Sequence, residues 1–198
     1  MNVTIRPYEP SDLYSVMTVW NSVIAEGDAF LEETPLSSEE MGDFLDQFRG
    51  IFCAKIGNEI AGIYLLRKLH PGKGSHIAEV IYAVKFSFRT MGVGKKMCEH
   101  SVKTAHDLGF AAIVCNRVPG LNPTAMNFLT KCGFVPAGEI PRGYRSVKTI
   151  LVDPAPAASA EQKKGLLGKI FDKKPEPTGP VEKTVVEYFS LYTYLKEV

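Results

Sequence analysis

An α/β domain with a mixed β-sheet is the fold this sequence predicts, and three observations predict it. Apolar, β-branched runs of strand length alternate with stretches of helical periodicity along the 198 residues. The central run, Val80-Ile81-Tyr82-Ala83-Val84, breaks at Gly92 and Gly94 and re-emerges as a helix, as in a strand-to-helix unit. Gly57-Asn58 sits between two apolar runs as a two-residue hairpin signature. The chain is long enough to bury one core, with little room for a second.

Taken in order, Val3 to Arg6 alternates before Pro7 and reads as a first strand. Ser11 precedes a helix that carries Leu13, Val16, Met17, Trp20 and Ile24 on one face and ends near Gly27. Ser37-Ser38-Glu39-Glu40 has the spacing of a capping box for a second helix bearing Met41, Phe44, Leu45 and Phe48. Ile51 to Ile56 and Ile60 to Leu69 form the hairpin, and His70 to Gly74 is a loop before the central strand. The central helix puts Val93, Met97, Ser101, Thr104 and Leu108 on one stripe. Phe110 to Cys115 is a further buried strand. Asn122-Pro123 starts the fourth helix, with Asn as N-cap and Pro at its first position, and Gly133 ends it. Phe134 to Ile140 and Thr184 to Leu195 read as the last strands. Between them, 154–180 holds five of the 13 prolines and reads as an insertion or linker. The expected domain is therefore 1–153 joined to 181–198.

The composition narrows the function. Lys plus Arg is 23 against 22 Asp plus Glu, a net charge of +1, which argues against a nucleic-acid partner held by bulk electrostatics. No apolar run is long enough to span a bilayer, and the first residues lack a basic-then-apolar signal pattern. Cys53, Cys98, Cys115 and Cys132 are scattered through apolar patterns and never paired as Cys-x-x-Cys. They read as thiols of a reducing cytoplasm, with no metal site expected.

A strand that breaks at glycines into a helix start is an anion site: free amide N–H groups and the positive dipole end point at the ligand. The loop lacks the Lys-Ser/Thr ending of a Walker motif and misses the dinucleotide glycine spacing. Arg89-x-x-Gly92-x-Gly94 after a strand resembles the acetyl-CoA pyrophosphate loop of the GNAT acetyltransferase superfamily. Asn122-x-x-Ala125 followed by Gly133-Phe134 resembles the superfamily's helix-strand signature in every named position but one, where Tyr is replaced by Leu129. The element order is the same. Segments such as 21–30, 70–77, Asn116-Arg117-Val118 and 138–141 further resemble the proline-analogue (azetidine-2-carboxylate) N-acetyltransferases.

The resemblance implies a single GNAT-type domain whose central sheet splays at the cofactor site, with about four flanking helices. It implies an acetyl-CoA-dependent N-acetyltransferase acting on a small-molecule amine or amino acid by direct attack in a ternary complex. The main chain of Tyr82, Ala83 and Val84 would hold the pantetheine arm, and the Tyr82 N–H would stabilise the oxyanion. Arg89, Thr90, Met91, Gly92, Val93, Gly94 and Lys95 would hold the pyrophosphate, and Asn122 and Ala125 the cofactor arm or the preceding strand end. Glu26, Phe30, Asn116 and Arg145 would line the acceptor pocket. Dimerisation is common in the superfamily, so a homodimer is admitted.

Two departures matter. Leu129 cannot protonate a leaving thiolate as Tyr does, and Glu79 stands where the proline-analogue subgroup commonly has Asn. Glu79 reads either as a general base or anionic substrate contact, or as a strand-end carboxylate facing solvent or a lysine. Tyr82, Tyr144 and Tyr192 are candidate substitute acids, each also readable as a core or edge aromatic, and His76 is a candidate base or a structural histidine. A non-catalytic acyl-CoA sensor and a protein or peptide N-acetyltransferase stay open as alternatives.

Overall fold

The structure, a computed structural model, describes residues 2–152 and 180–198. Seven strands and four helices follow the expected order: β1 (Val3–Pro7), α1 (Leu13–Ile24), α2 (Ser38–Leu45), β2 (Gly50–Ile56), β3 (Glu59–Lys68), β4 (Ile77–Val84), α3 (Val93–Asp107), β5 (Ala112–Pro119), α4 (Pro123–Lys131), β6 (Val135–Val152) and β7 (Val181–Glu197). They make one mixed sheet in the order β1-β2-β3-β4-β5-β7-β6. Neighbours from β1 to β4 run antiparallel, β4 and β5 run parallel across the α3 crossover, and β5 and β7 are antiparallel.

The sheet is covered on both faces, which is why β3 is buried without alternation from Ile60 to Leu66. On one face α1 and α2 pack Val16, Val19, Trp20, Val23 and Met41 against Cys53, Ile63 and Leu65. On the other, Val93, Met97, Cys98 and Ala105 of α3 and Leu129 of α4 pack against Tyr64, Leu66 and Val80.

Local chemistry accounts for the helix ends. The Ser37 hydroxyl accepts from the Glu40 N–H at 3.3 Å while the Glu40 carboxylate accepts from the Ser37 N–H at 2.8 Å, so the capping box forms as read. Asn122 Oδ1 accepts from the Ala125 N–H at 2.9 Å ahead of Pro123. Helix α1 begins later than its Ser11 reading, because Pro10–Asp12 forms a 3₁₀ turn held by Asp12, which accepts from the Glu9 N–H and pairs with Arg6. Leu108 leaves the expected stripe: α3 ends at Asp107, and Leu108, at the C-cap before left-handed Gly109, is 58% exposed. Strand β6 runs well past Ile140, to Val152.

Two compact units are recognisable, residues 1–144 with 188–198, and residues 145–187. The described part of the second comprises the adjoining portions of β6 and β7, with Val147, Ile150 and Leu151 exposed. The expected insertion at 154–180 lies, but for Pro180, outside the described residues.

Candidate active site

The site starts where the sheet comes apart. Strands β4 and β5 pair from Ile77↔Ala112 to Glu79↔Val114 and no further, although β4 keeps its β3 partner as far as Val84↔Gly62. Strand β5 meanwhile slips register against β7 between Cys115 and Val118, with Arg117 in the left-handed region at φ +58°. A bulge of this kind bends its strand and re-aims a side chain. Past Glu79 the edges of Val80–Val84 and Cys115–Pro119 diverge and line a cleft of about 710 Å³.

At one end of the cleft the loop after β4 delivers Arg89 and Thr90, followed by the start of α3. Gly92 takes φ +81° as N-cap, and a Cβ there would meet nothing within 4 Å. The first α3 bond runs from the Lys96 N–H to the Gly92 carbonyl at 3.1 Å, so the amides of Val93, Gly94 and Lys95 lack helical acceptors. Arg89 does not stand free: its guanidinium grips the Glu26 carboxylate through two contacts of 2.7 and 2.8 Å.

Another part of the lining is aromatic. Phe30 stacks on Trp20 with centroids 4.2 Å apart, and Phe44 tilts against the same indole at 4.8 Å. All three line the cleft, together with Arg67, Gln47, Asn116 and Arg117. Glu79 lies behind these arginines, 4% exposed, taking a hydrogen bond from Arg67 Nε at 2.7 Å and facing Arg117 at 3.6 Å. It does not line the cleft.

The sequence profile of the Acetyltransferase (GNAT) family matches residues 16–134, which include the splayed strands, the glycine loop and α4. The chain belongs to the GNAT acetyltransferase family. As a GNAT N-acetyltransferase it is 23% identical over 147 residues to N-acetyltransferase aca1 of Schizosaccharomyces pombe, covering 65% of this chain and 70% of that protein. The fold matches a phosphinothricin acetyltransferase from Sinorhizobium meliloti solved with AcCoA, at a TM-score of 0.73 and 16% identity over 100% of this chain and 89% of that one. It also matches yncA of Salmonella typhimurium, solved with acetyl-CoA, at 0.70 and 12% identity, over 100% and 94% of the two chains. A GNAT from Kribbella flavida matches at 0.73 and 17%, over 99% and 98%.

Within this GNAT domain the cleft gathers most of the residues singled out from sequence. Tyr82, Ala83, Val84, Arg89, Thr90, Gly92, Gly94, Lys95, Asn122 and Ala125 line it, as do Phe30 and Asn116. Met91 and Val93 do not: Met91 turns to the surface at 41% exposure and Val93 into the core at 1%. Glu26 is absent from the wall and pairs with Arg89, and Arg145 falls in the second compact unit. Asn116 sits inside β5 rather than at its end, its Oδ1 accepting from Thr193 at 2.8 Å. Glu79 is neither solvent-facing nor paired with lysine; its partners are arginines.

Two of the three candidate acids, Tyr82 and Tyr144, are committed elsewhere. Ser101 gives its hydrogen to the Cys98 carbonyl at 2.9 Å, so the Tyr82 hydroxyl, 2.6 Å away, donates to Ser101, and burial pushes this phenol well above its ordinary range. Tyr144 donates to the Gly27 carbonyl at 3.0 Å, and burial raises its phenol too. Tyr192 is a half-buried ring against the core, Leu129 is fully buried, and His76 is an exposed loop residue 3.1 Å from the Lys73 carbonyl. Sequence reasoning missed Arg67, Arg117 and Trp20 as site residues. Arg67 did carry a signal: it is a cation ending a run of seven buried residues, in register with Glu79.

Proposed function

We propose that this GNAT enzyme transfers the acetyl group of acetyl-CoA to the amine of a small molecule or amino acid by direct attack in a ternary complex. The observation that carries this reading is the parting of β4 from β5 beyond Glu79. It leaves main-chain donors and acceptors of β4 open along a cleft, an edge that an extended ligand arm can join as a strand does. The residues present fit the cofactor. Open space over Gly92 and the free amides through Lys95 suit a diphosphate at a helix start, with Arg89 beside them. When bound, acetyl-CoA supplies the acetyl group as an activated thioester.

The chain's own residues then do three things. The Tyr82–Val84 edge aligns the cofactor arm, and the Tyr82 N–H supports the carbonyl oxygen as charge develops. Trp20, Phe30 and Phe44 exclude water from the acceptor side and favour an amine with an apolar body, which agrees with the proline-analogue resemblance. Asn122 fixes the start of α4 and so the wall that carries Ala125 and Phe128. With Leu129 in place of Tyr and the Tyr82 proton held by Ser101, proton delivery falls to solvent. Lost general-acid help slows an enzyme by roughly 10²–10⁴-fold without abolishing turnover.

The same two features favour a second reading, an acyl-CoA-binding sensor without turnover. Release of CoA thiol from acetyl-CoA over a panel of amino acids, proline analogues and polyamines tests both. Release with one acceptor class is the expected result; tight acetyl-CoA binding with no release on any amine would move the assignment to the sensor.

A further inference from the structure

Resting on that reading, we propose that Arg67 and Arg117 form a clamp for a carboxylate at the fork of the sheet, oriented by buried Glu79, so that the acceptor is an amino acid rather than a simple amine. Four observations carry this. Two guanidiniums share one buried carboxylate, which leaves one positive charge over at the fork. Arg67 is already aimed: its Nε is held by Glu79 at 2.7 Å, its NH1 by Gln47 at 3.2 Å, and its plane lies over the Phe48 ring at 4.9 Å.

Arg117 is loaded differently. Among the described residues its guanidinium donates no hydrogen bond, and Glu79 at 3.6 Å is its sole ion-pair partner. Its backbone stands at φ +58°, in the left-handed region that a long side chain seldom takes. Strain of that kind persists where surrounding structure enforces it, and it clusters at ligand clamps.

A ligand bringing oxygen acceptors and one negative charge meets the needs of both guanidiniums at once. A planar carboxylate accepts two parallel N–H bonds from a guanidinium fork, which is the geometry Arg117 offers. Arg67 and Glu79 lie opposite each other, three residues and about 10 Å along the strand from Tyr82, and Arg67, Arg117 and Tyr82 line the same cleft. The apolar wall of Trp20, Phe30 and Phe44 then takes the body of the acceptor. Glu79, which does not line the cleft, acts through the arginines as a positioning residue.

The experiment pairs each amino acid with the amine that lacks its carboxylate: L-proline with pyrrolidine, L-phenylalanine with phenethylamine, L-methionine with 3-(methylthio)propylamine. CoA-thiol release is compared at equal concentrations of neutral amine, for the natural chain and for Arg117→Gln and Arg67→Gln. The expected result is a kcat/KM preference for the amino acid of about 10- to 100-fold, carried mainly by KM and collapsing in Arg117→Gln, as for loss of a charged hydrogen bond. Arg117→Lys should restore less than half of the logarithm of that preference, since a point charge cannot bind bidentately. Equal or better turnover of the simple amines would overturn the clamp while leaving the acetyltransferase standing. If no acceptor releases thiol, the same pairs are titrated calorimetrically against the full chain with CoA bound. Heat from the amino acids alone, lost in Arg117→Gln, upholds the clamp although the transferase reading has failed; no difference within a pair overturns it.

Discussion

Gly62 is the position at which stability and the site are tied by a single atom. It lies on β3 opposite Val84, and a Cβ built there would stand 2.9 Å from the Ala83 carbonyl oxygen and 3.2 Å from both Met97 Cε and Val93 Cγ1. The two side chains can give by tenths of an ångström, but the carbonyl belongs to the β4 backbone. Gly62→Ala must therefore push β4 or lever α3 away from the sheet. Overpacking of this kind costs about 1–3 kcal/mol, partly offset by the smaller conformational freedom of Ala in the unfolded chain, about 0.4–1 kcal/mol. The net expected loss is about 1–2 kcal/mol, read as a lower urea midpoint at unchanged slope. Because the displaced strand carries Tyr82–Val84, KM for acetyl-CoA should rise in the same variant. Gly94→Ala is the control for the urea midpoint alone, since Gly94 lines the cleft: its nearest contact is the Phe128 ring edge at 3.1 Å, which can rotate away. A Gly62→Ala protein with the natural midpoint and KM would refute the reasoning, since it would show that the sheet absorbs a Cβ where the structure leaves none.

Three further outcomes are expected. Gly92→Asn and Gly92→Asp share the left-handed backbone that both residue types tolerate, so their difference isolates charge; Asp should weaken acetyl-CoA binding by a further 30- to 150-fold, from roughly 3 kcal/mol of repulsion at about 6 Å and an effective dielectric near 20, and equal calorimetric affinities would sink the diphosphate assignment. Glu79→Gln should keep the acid limb of the kcat/KM–pH profile, because the buried carboxylate positions arginines; loss of that limb would restore Glu79 as general base. The Arg6 hydrogen bond lowers the Asp12 carboxyl below its ordinary value, against desolvation, so this pair stabilises the fold above about pH 4 and the gain is lost as pH falls through the depressed native value. Asp12→Asn should cost about 1–3 kcal/mol at pH 7, with the gap to the natural chain narrowing in acid, as followed by urea denaturation at each pH.

What could be read from the sequence was local, and what could not was long-range. The capping box at Ser37, the Asn122-Pro123 helix start and the glycine loop depend on residues within four of each other, and each appears where the pattern put it. The whole element order follows from such signals. The extra length of β6 depends on a partner strand distant in sequence, so no local pattern announced it. Glu79 shows the same limit more sharply. Its strand was legible, but its partners come from β3 and from a residue of β5 whose positive φ no side chain advertises in a β-branched and polar run. The half of the cleft at the glycine loop and the start of α3, built by one continuous stretch of chain, was therefore clearer than the half walled by Trp20, Phe30, Phe44, Arg67 and Arg117, which five separate elements assemble.

The bidentate pair between Arg89 and Glu26 joins those halves across 63 positions of sequence. On the proposed reading a diphosphate engaging Arg89 would compete with Glu26 for the same donors, and a ligand that drew Glu26 into the cleft would leave those donors to the diphosphate. Two binding events that draw on one ion pair cannot be independent. Each must change the affinity for the other by the same factor, whichever arrives first. The loop between the first two helices, which carries Glu26, would then couple the glycine-loop end of the cleft to any ligand that reached that carboxylate.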